Sequence, residues 1–332
     1  MAVDLVNQNV GPETNSVGTN ETWRAYVGRR PLRGLILLGR PWHWVKNIFV
    51  LLPLPFAIAD QLQHGQLDFQ ILPLLTGLIG FCLINSAVYA LNDVVDAQAD
   101  RLHSRKKSRP VASGDVAVPF ALGWGVIVMT AGIALCWLAS RPHAIAVACL
   151  YVAINLAYSL GAKHVTLLDV FLVSAGFVLR VLLGCFLLDV PPSNWLLLCS
   201  SSLALFLGCA KRRADLAAGL KAEHRPSLAG YDYSFLNQML GITATVTLMA
   251  YCLYSFNSPV FVEKRQLASV PFVAYGILHY LRISLIQGAG ASPVAMFYTS
   301  RTLQLCGLGW LLAVTWSMGL WSVLFQHLGL SS

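Results

Sequence analysis

The chain has 332 residues, of which 56% are hydrophobic and only 11% charged, less than half of the roughly 25% charged residues of a soluble domain. That shortage excludes an ordinary soluble enzyme, and apolar runs of about 20 residues predict an all-α polytopic membrane protein. The formal net charge of +8 lies in separate membrane-flanking segments without interleaved aromatic residues, so no nucleic-acid partner is expected.

Residues 1–30 are polar and lack the basic start and apolar core of a signal peptide. They are read as a disordered cytosolic tail, with residues 31–332 forming one transmembrane domain. About nine transmembrane helices are predicted, near 47–59, 70–92, 117–139, 143–160, 166–188, 194–210, 236–256, 268–287 and 302–325. The stretch PLRGLILLG before the first is expected to lie along the interface. Arg24, Arg29, Arg30, Arg33, Arg40 and Lys46 precede helix one, and the connections after helices two, four, six and eight, the last with Arg282 and Arg301, are also basic. The positive-inside bias then puts the N-terminus in the cytoplasm. The eight cysteines lie inside apolar runs without CxxC spacing and are read as small buried hydrophobes rather than a disulfide or zinc framework.

The second predicted helix ends in LNDVVDAQADRLHSRKKSRP. Spacings of three, four and seven residues place Asp93, Asp96 and Asp100 on one helix face, with Asn92 beside them. Stacked like charges repel, and a hard divalent cation resolves the conflict; Mg2+ takes carboxylate oxygens and is shared with phosphates. A solvated helix end neutralised by the basic run is the plainer alternative. Arg101, His103, Lys106, Lys107 and Arg109 follow, with Lys46 and Asn47 in the opening segment; Arg offers a planar fork for phosphate oxygens and Lys a point charge. Lys163, His164 and Asp169 flank the fifth helix, Tyr158 and Ser159 close the fourth, and Lys211 and Arg212 close the sixth. Arg180, inside a span, is by default functional and faces the bundle interior. Eleven residues, about three turns, let Asp169 and Arg180 face one cavity or pair with each other.

These motifs resemble the UbiA superfamily of intramembrane prenyltransferases. NDVVDAQADRLHSRKKSRPVASG is similar to its first aspartate motif, and RPWHWVKN before it and YSLGAKH after it keep the family's order. The resemblance runs from about Arg40 onward and implies a UbiA-type bundle with a cytoplasm-facing cavity. The loop after helix six, GCAKRRADLAAGLKAEHRPSLAGYDYS, lacks the second acidic motif of members that prenylate aromatic rings. RPWHWVKN, NDVVDAQADRLHSRKKSRP, YSLGAKHVTLLD and CAKRRADL instead resemble the branch that transfers phosphoribosyl groups to decaprenyl phosphate.

That branch implies Mg2+ held by Asn92, Asp93, Asp96 and Asp100, phosphoribosyl pyrophosphate as donor and a polyprenyl phosphate as acceptor. It further implies Asp93, Asp96, Asp100, Lys163 and Asp169 as catalytic groups. Lys46, Asn47, Asn92, Arg101, His103, Lys106, Lys107, Arg109, Tyr158, Ser159, His164, Arg180, Lys211 and Arg212 would bind the substrates. The product would be a precursor of arabinose donors for cell walls, made at the inner face of a bacterial membrane. Lys211 to Tyr233, with Gly219 and Gly230, is the candidate lid. An aromatic polyprenyltransferase and a non-catalytic lipid binder or transporter are the two alternative readings.

Overall fold

The computed structural model describes residues 29–63, 70–102, 106–220, 225–286 and 293–322, and every regular element among them is helical. The predicted tail therefore falls outside the described residues, except that the Arg29 and Arg30 amides donate to the Gly114 and Asp115 carbonyls, both at 3.1 Å.

The helices run in chain order as α1 (Pro31–Gly39), a 3-10 stretch (Pro41–Leu51), α2 (Leu54–Gln63), α3 (Ile71–Val95), α4 (Ala97–Leu102), α5 (Val118–Leu138), α6 (Pro142–Leu160), α7 (Leu168–Leu187), α8 (Asn194–Ala217), α9 (Tyr233–Asn257), α10 (Val270–Ile286), α11 (Pro293–Thr299) and α12 (Arg301–Ser317). Among the described residues, seven segments are long and apolar enough to cross a membrane, the first being Leu32–Leu62 taken as a whole, and α10 is a shorter apolar helix. The segment predicted at 47–59 thus begins earlier than expected and is broken twice. Pro41 disfavours a helical residue before it, and Arg40 takes the left-handed conformation at φ 46° and ψ 55°. Pro53 and Pro55 interrupt the chain again before α2 settles.

The bundle has two main cores. One gathers Val50, Phe81, Ile84, Val88, Tyr151, Leu179 and Leu183 between the 3-10 stretch, α3, α6 and α7. The other gathers Val170, Phe206, Leu236, Leu240, Ile277 and Leu303 between α7, α8, α9, α10 and α12. Helix α7 contributes to both and is the seam between them. The 3-10 stretch lies so close to α7 that a Cβ on Gly184 would strike the Val50 carbonyl oxygen. A glycine is required there by the approach of two backbones. The contact fixes Arg40 to Asn47 against the helices that carry the polar residues. Helix α5, by contrast, is mostly exposed, with Val126 and Ile127 63% and 68% accessible, as suits a lipid-facing helix.

Candidate functional site

The last turn of α3 carries Asn92 and Asp93, and hydrogen bonding continues into α4. The Asp96 amide donates to the Asn92 carbonyl at 2.9 Å, and the Asp100 amide to the Asp96 carbonyl at 2.8 Å. Asp93 and Asp100 are buried and share one guanidinium: Arg109 Nη1 lies 3.5 Å from Asp93 Oδ1 and 2.5 Å from Asp100 Oδ2. Arg40 places a second guanidinium on Asp93 Oδ1, and Lys106 Nζ stands 4.0 Å from Asp100 Oδ1. Asp96 is held elsewhere, by Lys163 Nζ at 2.5 Å, while Asn92 accepts a hydrogen bond from Ser159 Oγ. The acidic stripe is thus a pair on one arginine and a third member on a lysine. Burial and the neighbouring Arg109 hold the Lys106 ammonium below the usual lysine range, against the pull of Asp100 and Asp96.

Among the described residues, no three His, Cys, Asp or Glu side chains are grouped to hold a metal ion. Asp93 Oδ2, however, is buried without a hydrogen-bond partner. A carboxylate oxygen left so is an uncompensated acceptor, and hard divalent cations take such oxygens. The donor set therefore fits Mg2+ at Asp93.

A second knot forms around Asp169 at the start of α7. Tyr231 donates to Asp169 Oδ1 at 2.8 Å and Ser227 Oγ to Oδ2 at 2.9 Å. Arg212 Nε is 2.8 Å and Arg225 Nη2 3.4 Å from Oδ2. Arg212 also pairs with Asp215 at 2.5 Å, and Arg225 donates to the Tyr158 hydroxyl at 2.6 Å. Leu167, at φ 69°, donates its amide to the Tyr231 hydroxyl at 2.8 Å; a non-glycine residue there stores strain that the knot sustains. Burial and the bond to Asp169 push the Tyr231 phenol up from its ordinary value. Both oxygens of Asp169, expected among the catalytic groups, thus accept from protein donors. Of the candidate lid, residues 211–220 and 225–233 are described, and the part from 225 to 231 is likewise fastened: Thr166 donates to the Ser227 carbonyl at 3.0 Å, and a Cβ on Gly230 would collide with Thr166.

Arg180 and Asp169 are not linked. Arg180 donates to Asn47 Oδ1 at 2.9 Å, the Gly176 carbonyl at 2.6 Å, Asn85 Oδ1 at 2.6 Å and Tyr151 at 3.1 Å, and it stacks over the Tyr151 ring at 4.9 Å. Every partner is neutral. Lys46 lies within electrostatic reach of Arg180 and Arg40, and Lys211 within reach of Lys46, Arg212, Asp215 and Arg225. No carboxylate stands at ion-pair distance from Arg180, Lys46 or Lys211 among the described residues.

The structure therefore brings together Asn92, Asp93, Asp100, Lys106, Arg109 and Ser159 at one knot, and Tyr158, Asp169 and Arg212 at the other. Asp96 and Lys163 bridge the junction of α3 and α4 to the turn after α6. Arg101, Lys107 and His164 are exposed, and His103 lies outside the described residues. Arg40, Asn85, Tyr151, Arg225, Ser227 and Tyr231 were not singled out by sequence. Arg40 had a signal, a cation joined to the RPWHWVKN motif, and so did Arg225, joined to Pro226. Ser227 and the buried Asn85 and Tyr151 carry none. The reading of every cysteine as buried is also corrected, since Cys149 is exposed.

Comparison with known proteins gives consistent matches. The model of the UbiA prenyltransferase family matches residues 52–305. The decaprenyl-phosphate phosphoribosyltransferase of Mycolicibacterium smegmatis is 32% identical over 290 residues, covering 84% of this chain and 90% of that protein. The protein of the same name from Corynebacterium glutamicum is 32% identical, covering 85% of each chain. Among solved structures, a UbiA homolog from Archaeoglobus fulgidus bound to GPP and Mg2+ superposes with a TM-score of 0.65 at 17% identity, over 86% of this chain and 98% of that one.

Proposed function

The chain belongs to the UbiA prenyltransferase family, and on that premise we propose that it transfers a 5-phosphoribosyl group from phosphoribosyl pyrophosphate to a polyprenyl phosphate, releasing pyrophosphate. The observation that carries this reading is the charge pattern: Arg180 donates only to neutral partners, Lys46 has Arg180 and Arg40 as its charged neighbours, and Lys211 has more cations than carboxylates around it, with Asp215 alone opposing Arg212, Lys46 and Arg225, while Asp93 keeps one oxygen free. Cations held in a low-dielectric bundle without counter-charge are costly unless an anion completes them. A prenyl diphosphate and a neutral aromatic ring would supply one anion. A phosphoribosyl diphosphate supplies two, its diphosphate and its 5-phosphate, and a lipid phosphate adds a third. The names of the relatives, at about a third identity over most of the chain, support the same choice.

In this reading the diphosphate lies against Asn92, Asp93, Asp96 and Asp100. When bound, Mg2+ held by these groups supplies charge neutralisation to the leaving diphosphate. Lys106 and Arg109 stand beside it and stabilise the charge that grows on pyrophosphate as the bond to ribose C1 lengthens. Lys46, Arg180 and Lys211 draw the acceptor phosphate to the opposite side of C1. That phosphate is already anionic, its second pKa being about 6, so no protein base is needed. Asp169 fits that demand, because it positions Arg212 and Arg225 rather than removing a proton. In this reading the acceptor remains in the bilayer and reacts at the cytoplasmic face of a bacterial inner membrane, with the N-terminus inside, an orientation that the positive-inside bias of the basic segments supports.

Membranes containing the protein, given labelled phosphoribosyl pyrophosphate or labelled prenyl diphosphate in parallel, test this directly. Label entering an acid-labile lipid only from the first supports the transfer; incorporation only from the second overturns it in favour of aromatic prenylation.

A further inference from the structure

The eleven residues Pro41–Leu51 form a 3-10 helix, far longer than the three or four residues usual for this conformation. Three residues per turn superpose side chains three apart, so His43 and Lys46 stand in one row along the stretch, with Arg40, the left-handed residue that precedes it, at its head. Its outer end opens into a pocket of about 240 Å3 lined by Leu37, Arg40, Trp42, His43, Arg109 and Pro110. Its inner end, Lys46, lies within reach of buried Arg180, and His43 within reach of Arg40, Lys46, Lys211 and Arg109.

The pocket is two-sided in character. Arg40 and Arg109 form a cationic floor, the same two guanidiniums that meet Asp93. The rim is apolar, with Trp42 53% exposed, and it continues into Ile36 and Ile48 at 65% and 63%. A cationic floor under an exposed apolar rim matches an amphiphile with an anionic head. The row also begins at a strained residue, left-handed Arg40, and strain of this kind persists where a site uses the geometry it enforces.

We propose that the Arg40–His43–Lys46 row, entered through the pocket beside Arg109, is the docking and entry path for the phosphate headgroup of the lipid acceptor. This rests on the transfer reaction above and adds to it the place where the acceptor leaves the bilayer. The 3-10 geometry matters because it presents one cation or imidazole per turn on one line, so the phosphate stays partnered as it moves inward toward Arg180.

Binding of a long-chain polyprenyl phosphate to the full chain in detergent micelles, with no donor present, tests the row without turnover. Arg40→Gln and His43→Gln should each weaken that binding by about tenfold, as expected for loss of a charge-assisted hydrogen bond, with Arg40→Lys retaining most of it. Binding of the corresponding polyprenol and of ribose 5-phosphate should not change. If ribose 5-phosphate weakens instead, the row serves a soluble phosphate and the proposal fails. It also fails if polyprenol weakens equally, or if neither variant matters. Should Arg40→Gln not fold once its bond to Asp93 is lost, His43→Gln, which takes no part in that pair, carries the test alone. Absence of phosphoribosyl turnover with phosphate binding intact would refute the reaction and leave the row standing.

Discussion

Asp93 and Asp169 are both fully buried carboxylates in one bundle, and each meets two arginines. They differ in what the other contacts do. Asp169 adds Ser227 and Tyr231, so both of its oxygens accept from protein donors. Asp93 puts Arg40 and Arg109 on one oxygen and leaves the other, buried, without a partner. A saturated buried ion pair is a structural commitment, since its removal exposes uncompensated charge. The same residue type thus has both oxygens partnered at the start of α7 and only one partnered at the end of α3.

Breaking the saturated knot should produce the largest effect. Asp169→Asn leaves Arg212, itself almost wholly buried, without its central counter-charge, and should lower stability by about 3–5 kcal/mol, read as a lower melting temperature in detergent. A variant as stable as wild type would show that the knot does not hold the fold. Next comes Asp93→Asn, which keeps the shape and removes the charge. Activity should fall by about a hundredfold or more, and EDTA in excess should abolish wild-type turnover, while the melting temperature falls less than in Asp169→Asn. Full activity in either experiment would contradict the assignment of Asp93.

A smaller effect sharpens the contrast. Ser227→Ala removes one donor of the saturated knot and leaves the others, so a loss of about 1 kcal/mol is expected, with KM for either substrate unchanged. The smallest effect concerns Lys106. Its folded-state value lies below that of the unfolded chain because of burial and Arg109. Keeping it charged therefore lowers stability below the folded pKa, and the penalty lifts as pH rises through that value. Lys106→Met should stabilise the protein slightly at neutral pH, with the gain shrinking at alkaline pH. A melting difference independent of pH would argue that packing, not charge, is responsible.

Much of the fold was legible because a membrane simplifies the problem. Apolar runs at 70–92, 117–139, 143–160 and 166–188 correspond to Ile71–Val95, Val118–Leu138, Pro142–Leu160 and Leu168–Leu187. The opening segment was misjudged because two local effects compete there. Hydropathy favours a single span, while Pro41 and the glycine contact at Gly184 impose a break and a 3-10 stretch. At the site, Asp93, Asp100 and Arg109 were visible from spacing and their shared basic run. Ser227 and Tyr231 were not, because nothing local distinguishes a serine or tyrosine that meets a carboxylate from one that meets solvent.

Sequence alone was enough for the membrane class, the helices near their observed places and the identity of the charged residues at the end of α3, since hydrophobic length and i, i+3, i+4 spacing are properties of contiguous chain. Tertiary structure decided which charges neutralise one another. Asp169 pairs with residues 43 to 62 positions away, Arg180 finds only neutral acceptors, and one oxygen of Asp93 stays open. Compensation of a buried charge depends on distance through space, and that distance is set by how the helices pack against α7.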